Sequence, residues 1–239
     1  MVTLVKSNDL LSSDRLQYLV FIGLSIVVVM LTGIGYFSNH LLFQRFLSGI
    51  NPLLAILFIS LMGIIFLSFL LSQGWFAVYK KESLKGLARC SGLAALFGLV
   101  AILVDSTVVF PADLNISFPA SLVFYPVMGF IAELLFHVMP LSLIFLILIL
   151  LSKKITNQIV WISILVVSCL EPIYQTIASF SEPVPLWATV WVGLHVYLIN
   201  LSQLIIFTRY DFVSMYLFRL VYYLIWHVVW GYFRLKLMF

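Results

Sequence analysis

The chain has 239 residues, of which 64% are hydrophobic and only 9% are charged, with a mean hydropathy of +1.17 and a formal net charge of +4. Soluble chains carry roughly 25% charged residues, so the composition excludes a soluble globular domain and points to an integral membrane protein. The positive charge is concentrated in short loops, which bears on orientation and anionic lipid; no nucleic-acid motif accompanies it.

Residues 1–15 are polar, and the first apolar run, at about 16–37, lacks a small-residue cleavage site and is too long for a secretory signal, so it reads as a retained first span. Further apolar runs follow at about 53–73, 91–110, 120–151, 156–178, 186–207 and 213–233, each near the ~20 residues that cross the hydrocarbon core. Backbone groups in lipid must be satisfied within the segment, so the expected fold is all-α: one polytopic helical bundle of seven or eight spans, a single membrane domain over residues 1–239. The fourth run is long for one crossing, and Pro119, Pro126 and Gly129 predict an interfacial or broken turn where it opens. The sequence carries no internal repeat. Cys90 and Cys169 show neither a disulfide pattern nor zinc-ligand spacing.

Basic residues are retained in the cytoplasm, which places Lys80, Lys81, Lys85 and Arg89 inside, together with Lys153, Lys154 and Arg209. The loops around Asp113 and Glu182 hold no Lys or Arg and fall outside. This alternation leaves the C-terminus outside, where Arg234 and Lys236 fit poorly; an eighth, re-entrant span would remove the conflict. Trp75, Trp187, Trp226 and Trp230, near span ends, read as interfacial anchors.

At a rise of 1.5 Å per residue, Asp105, His137, Glu171, His195 and His227 each lie roughly 20 Å from the cytoplasmic edge and Glu133 roughly 27 Å. Ionisable groups at such depth are expensive and mark functional sites by default. Glu133 and His137 share one helix face at i,i+4, and Glu171 and His227 are expected to complete a four-residue set able to hold zinc or a similar divalent ion. The spacing is neither His-Glu-x-x-His nor the Glu-x-x-His of di-iron bundles, and mutual pairing in the bundle interior is the plainer alternative. Pro140 and Pro172 each remove a helical hydrogen bond beside an acid, so both acid-bearing helices are expected to bend or break there. Tyr223 shares a face with His227 and is placed to orient its imidazole. Arg219 reads as snorkelling or pairing structurally, His195 as a candidate member of the cluster or a structural group, and Asp105 as either a member or a residue facing the outer loop. Asn115-Ile116-Ser117 is a glycosylation sequon, usable only on a eukaryotic secretory route.

Ala132-Glu133-Leu134-Leu135-Phe136-His137, preceded by a Pro/Gly-punctuated run and followed by two polar-bearing helices, resembles the CAAX-prenyl-protease and bacteriocin-processing (CPBP, or Abi) family of intramembrane proteases. The resemblance covers about residues 90–235. The family pattern of Glu-Glu-x-x-x-Arg, Phe-x-x-x-His and His-x-x-x-Asn falls on Ala132/Glu133/His137, Val167/Glu171 and His227/Gly231, retaining only Glu133 and His227. It implies an intramembrane endopeptidase of glutamic or metal-dependent type, hydrolysing a membrane-embedded or membrane-proximal peptide by water activated at Glu133, His137, Glu171 and His227. Expected partners are membrane lipid and that peptide, in the plasma membrane of a prokaryote. Two alternatives stand beside it: a non-catalytic immunity or regulatory protein with the same fold, favoured by Ala132 where the family has a carboxylate, and a proton-coupled transporter or haem protein.

Overall fold

The computed structural model describes residues 7–47, 49–81, 84–108, 110–151, 154–178 and 184–239. The chain is an all-α bundle with no strand among the described residues. Its helices are α1 (Ser7–Ser38), α2 (Gln44–Leu47), α3 (Pro52–Ser72), α4 (Leu84–Val108), α5 (Ser121–Ala132), α6 (Met139–Leu150), α7 (Asn157–Val167), α8 (Leu170–Ala178), α9 (Leu186–Arg209), α10 (Phe212–Tyr223) and α11 (Gly231–Leu237). Two π-helical segments, Glu133–Val138 and Leu224–Trp230, fuse α5 to α6 and α10 to α11.

These elements make seven helical stretches long and apolar enough to cross a membrane: Arg15–Ser38, Pro52–Ser72, Gly86–Val108, Ser121–Leu150, Asn157–Ile177, Leu186–Arg209 and Phe212–Leu237. The chain is therefore an integral, multi-pass membrane protein. No eighth span occurs among the described residues, and Arg234, though not the exposed Lys236, has another explanation: it is completely buried and donates to Asp105 at 2.7 Å. A buried, paired arginine is an internal counter-charge and says nothing about the side on which a loop resides.

Three local expectations need correction. The fourth span opens on a turn at 118–120 that contains Pro119, as expected, but Pro126 and Gly129 sit inside regular helix and a further irregularity lies in its middle, at Glu133–Val138. The basic loop is shorter than expected, because α4 begins at Leu84 and takes Arg89 into its second turn. Trp226 is buried and the Trp230 indole donates to Asp105 at 2.8 Å, so neither is an interfacial anchor, whereas Trp187 is exposed. Glu182 and Lys153 lie outside the described residues, as does the Lys85 side chain.

Helices in lipid gain little from burying apolar surface against one another and associate through close packing and polar contacts. Gly63 illustrates the first: a Cβ there would lie 2.7 Å from the Phe21 ring and 3.0 Å from Leu134, so α1, α3 and the first π-helical segment meet at a point without room for a methyl group. The end of the bundle that holds Lys80 illustrates the second. Asp211 caps α10 by accepting from Ser214 N at 2.7 Å, and its other oxygen accepts from Lys80 N at 2.7 Å. Gln17 accepts from Val78 N and Tyr79 N at 2.7 and 2.9 Å and donates to Tyr79 O at 2.8 Å, so the buried segment before Lys80 is fixed between α1 and α10.

Candidate functional site

The polar centre forms where three helices are locally irregular. Pro140 has no N–H to give to Phe136, and the turn before it widens, with Met139 N–H bonding Leu134 O five residues back. Glu133 and His137 project from this widened turn, His137 Nδ1 standing 2.6 Å from Glu133 Oε2, both side chains fully buried. The fifth span breaks at Ser168–Cys169, and α8 restarts with Glu171 and Pro172 in its first turn, where proline lacks only an N–H that has no helical partner anyway. Glu171 therefore enters the bundle from the start of a new helix.

Arg219 on α10 joins the two acids. Its Nε donates to Glu133 Oε1 at 2.6 Å, Nη1 to Glu171 Oε1 at 2.9 Å, and Nη2 to Glu171 Oε2 at 2.8 Å. Nη1 also donates to the Tyr223 hydroxyl at 3.1 Å, and Nη2 to Gln203 Oε1 at 3.0 Å. A guanidinium has five N–H donors, and all five are used. Gln203 Nε2 returns a hydrogen bond to Glu133 Oε1, and Gln175 Nε2 donates to Glu171 Oε1 at 3.0 Å. Gly129 packs against this group: a Cβ there would meet Arg219 Cδ and the Tyr223 ring at 3.4 Å, an ordinary contact distance. The result is a buried, bidentate carboxylate–guanidinium–carboxylate bridge, the strong form of charge-assisted hydrogen bonding.

Glu133, His137 and Glu171 are thus brought together, and His227 is not among them. Its ring stacks on Tyr125 at 4.5 Å between centroids, and its Nδ1 lies 3.4 Å from Asn115 Nδ2. Asn115 belongs to a second buried cluster at the end of the bundle away from Lys80, where it accepts from Arg234 Nη1 at 3.1 Å, Arg234 Nη2 donates to Phe110 O, and Asp105 accepts from Phe110 N at 3.1 Å. The Asp105 carboxylate therefore serves both as a counter-charge and as an anchor of the segment from Phe110 onward. Asn115 is 6% exposed and held by these bonds, which makes the sequon no acceptor for a glycan in the folded protein.

The four-residue metal set needs the corresponding correction. With His227 in another cluster, two carboxylates and one imidazole remain, and the carboxylates face a guanidinium at the position a divalent ion would take. A fixed cation among the donors does not fit a second one. Among the described residues no group of three His, Cys, Asp or Glu side chains converges on a metal site. The same contacts bear on proton transfer, since the Glu171 oxygens that would accept a proton from water already accept from Arg219 and Gln175.

Glu171, Arg219, Tyr223 and His227 also line one cavity of about 280 Å³, bounded by α5, α8, α9, α10 and the segment from Phe110 to Ile116. His195 lies in its wall, stacked on Trp191 at 4.5 Å, and takes no part in the carboxylate bridge.

Sequence reasoning missed Arg219 and Gln203 as members of the site and Arg234 as the partner of Asp105. A signal existed for the first: two deep carboxylates on separate spans require a deep cation, and Arg219 is the sole arginine or lysine in the interior of the seven runs. What fold and site define is a multi-pass helical membrane protein, with seven spans among the described residues and an ion-paired buried centre bordering a cavity. Comparison of the chain with protein-family models, with curated proteins and with solved structures gave no match. The functional reading rests on the chain's own chemistry.

Proposed function

We propose that this chain is a non-hydrolytic membrane protein of CPBP-like arrangement, acting in a prokaryotic plasma membrane as a binding or regulatory partner of a membrane-embedded peptide or protein. The observation that carries the reading is Arg219 gripping Glu171 with two parallel N–H bonds while bridging to Glu133. In a hydrolytic centre a carboxylate must hold and deprotonate a water, and here three of the four lone-pair sites of Glu171 are already taken, two by Arg219 and one by Gln175, beside a fixed positive charge that repels an incoming proton. A charge-satisfied bridge of this kind instead fixes α5, α8 and α10 relative to one another, which suits a rigid receptor surface.

A hydrolytic version is the second reading, favoured by Glu171 bordering a cavity large enough to admit part of a substrate. One experiment separates the two: the purified full chain in lipid is incubated with a panel of fluorogenic transmembrane peptides, with and without added zinc. The non-hydrolytic reading expects no cleavage above a no-protein control. Cleavage that is lost in Glu133→Ala and in Glu171→Gln would overturn it.

A further inference from the structure

The cavity wall contains polar atoms that nothing in the protein satisfies. His195 is 6% exposed and its Nε2 has no hydrogen-bond partner; Asn200 is fully buried, its Oδ1 has no partner, and its Nδ2 has only the Glu171 carboxylate as a polar neighbour, which leaves at least one of its two N–H groups open. Leaving a buried donor or acceptor unpaired costs roughly 1–3 kcal/mol, so these atoms around one cavity call for a complement within it. Tyr223 accepts from Arg219 through its hydroxyl oxygen, which leaves its own O–H to donate. Much of the remaining wall is aromatic, including Trp191, Tyr222 and Trp226.

The charged groups decide what that complement is not. An anion would need donors from Arg219, and all five are committed within the protein. A cation seated at Glu171 would share that carboxylate with a guanidinium already bonded to both of its oxygens, placing two positive charges on one acceptor pair. What remains open is the neutral pair offered by Asn200, one donor beside one acceptor, whose two-point complement is another amide. We infer that this cavity binds an uncharged, flat, largely apolar molecule carrying an amide, with the amide paired to Asn200 and steadied by His195 and Tyr223, and its apolar body against the aromatic wall. Such a site follows the usual plan of a ligand cavity, apolar walls with a few placed polar groups.

The inference rests on the non-hydrolytic reading, because an amide held next to a competent water-activating centre would be cleaved. The test uses the full chain in detergent and three probes of one shape: 2-naphthamide, 2-naphthoate and 2-naphthylmethylammonium, measured by equilibrium dialysis against the same detergent. The amide is expected to bind saturably and at least about tenfold more tightly than the acid or the amine, the factor that ~1.4 kcal/mol of unshared hydrogen bonding supplies. Asn200→Leu is expected to remove that preference, and His195→Phe, which keeps the stacking on Trp191, to weaken it. Equal binding of the three probes, tighter binding of either ion, or absence of saturable binding by the amide overturns the inference, and these comparisons on the unaltered protein stand even where a variant fails to fold. Recovery of the dialysed amide as 2-naphthoate would instead overturn the non-hydrolytic reading, so the two failures are read separately from one sample.

Discussion

Arg219 and Glu171 face each other fork to fork, Nη1 to Oε1 at 2.9 Å and Nη2 to Oε2 at 2.8 Å, with side chains 3% and 4% exposed. A desolvated pair of this geometry contributes modestly when intact and is severe to break, because the surviving partner keeps its charge without a counter-ion.

Arg219→Met is therefore expected to destabilise the protein by about 3–5 kcal/mol, since it strands two buried carboxylates at once. In thermal unfolding of the detergent-solubilised protein that amounts to a fall in Tm on the order of 10 °C. Arg219→Met combined with Glu133→Gln and Glu171→Gln removes the stranded charges and should recover most of the loss. A triple variant no more stable than the single one would contradict this account of the bridge.

Zinc added in excess should leave the Tm of the unaltered protein where it was, because a ligand that does not bind the folded state cannot raise its stability. A zinc-dependent rise that disappears in Glu133→Gln would mean that Arg219 yields its place to the metal.

Asp105→Ala tests the cluster around Arg234. It leaves Arg234, buried and fully desolvated, without its carboxylate and takes an acceptor from Trp230 Nε1 and Phe110 N. The expected cost is about 3 kcal/mol or more, with faster hydrogen exchange in residues 110–116, which Arg234 and Asp105 tie down. Unchanged exchange there would show that the loop is held by other contacts.

Gly63→Ala asks for a methyl group where Phe21 and Leu134 stand at 2.7 and 3.0 Å. Overpacking of this kind costs about 1–3 kcal/mol, so Tm should fall by several degrees even though alanine is the better helix former. A stabilised Gly63→Ala would imply that α1 and α3 can move apart freely.

Orientation is tested by cysteines placed at Lys81, which is exposed, and at Asp113 in a background lacking Cys90 and Cys169. The basic-loop asymmetry expects position 81 to label from the cytoplasmic side and position 113 from the opposite side. Labelling of both from one side would refute it.

The spans were legible because run length and hydropathy are properties of the chain alone. Depth was legible only in part. Counting residues from a loop puts Arg219, six positions into the run that opens at about 213, about 9 Å from the edge and Glu133 about 27 Å from it, yet their side chains bond at 2.6 Å. The count assumes that every span ends at the same level, whereas the fourth runs for 30 residues, and it ignores the reach of a guanidinium on its long stem. His227 failed for a related reason. Its depth matched that of Glu171, but lateral position around the bundle depends on helix rotation, which residue counting does not supply. Asp105 pairs with an arginine 129 positions away, a relationship that span lengths do not encode.

The two π-helical segments carry a consequence for how this chain can be related to others. Each accommodates a residue more than an α-helix of the same rise, so the faces before and after it are out of phase by roughly 100°, one residue's rotation. A stripe traced along Ser121–Leu150 or Phe212–Leu237 as though it were one regular helix assigns half of its residues to the wrong side. Any ancestor with regular helices here differs by a single-residue insertion in each, one beside Glu133 and His137 and one beside His227. An alignment that refuses a gap inside a transmembrane helix then shifts the polar positions by one and hides the kinship it seeks.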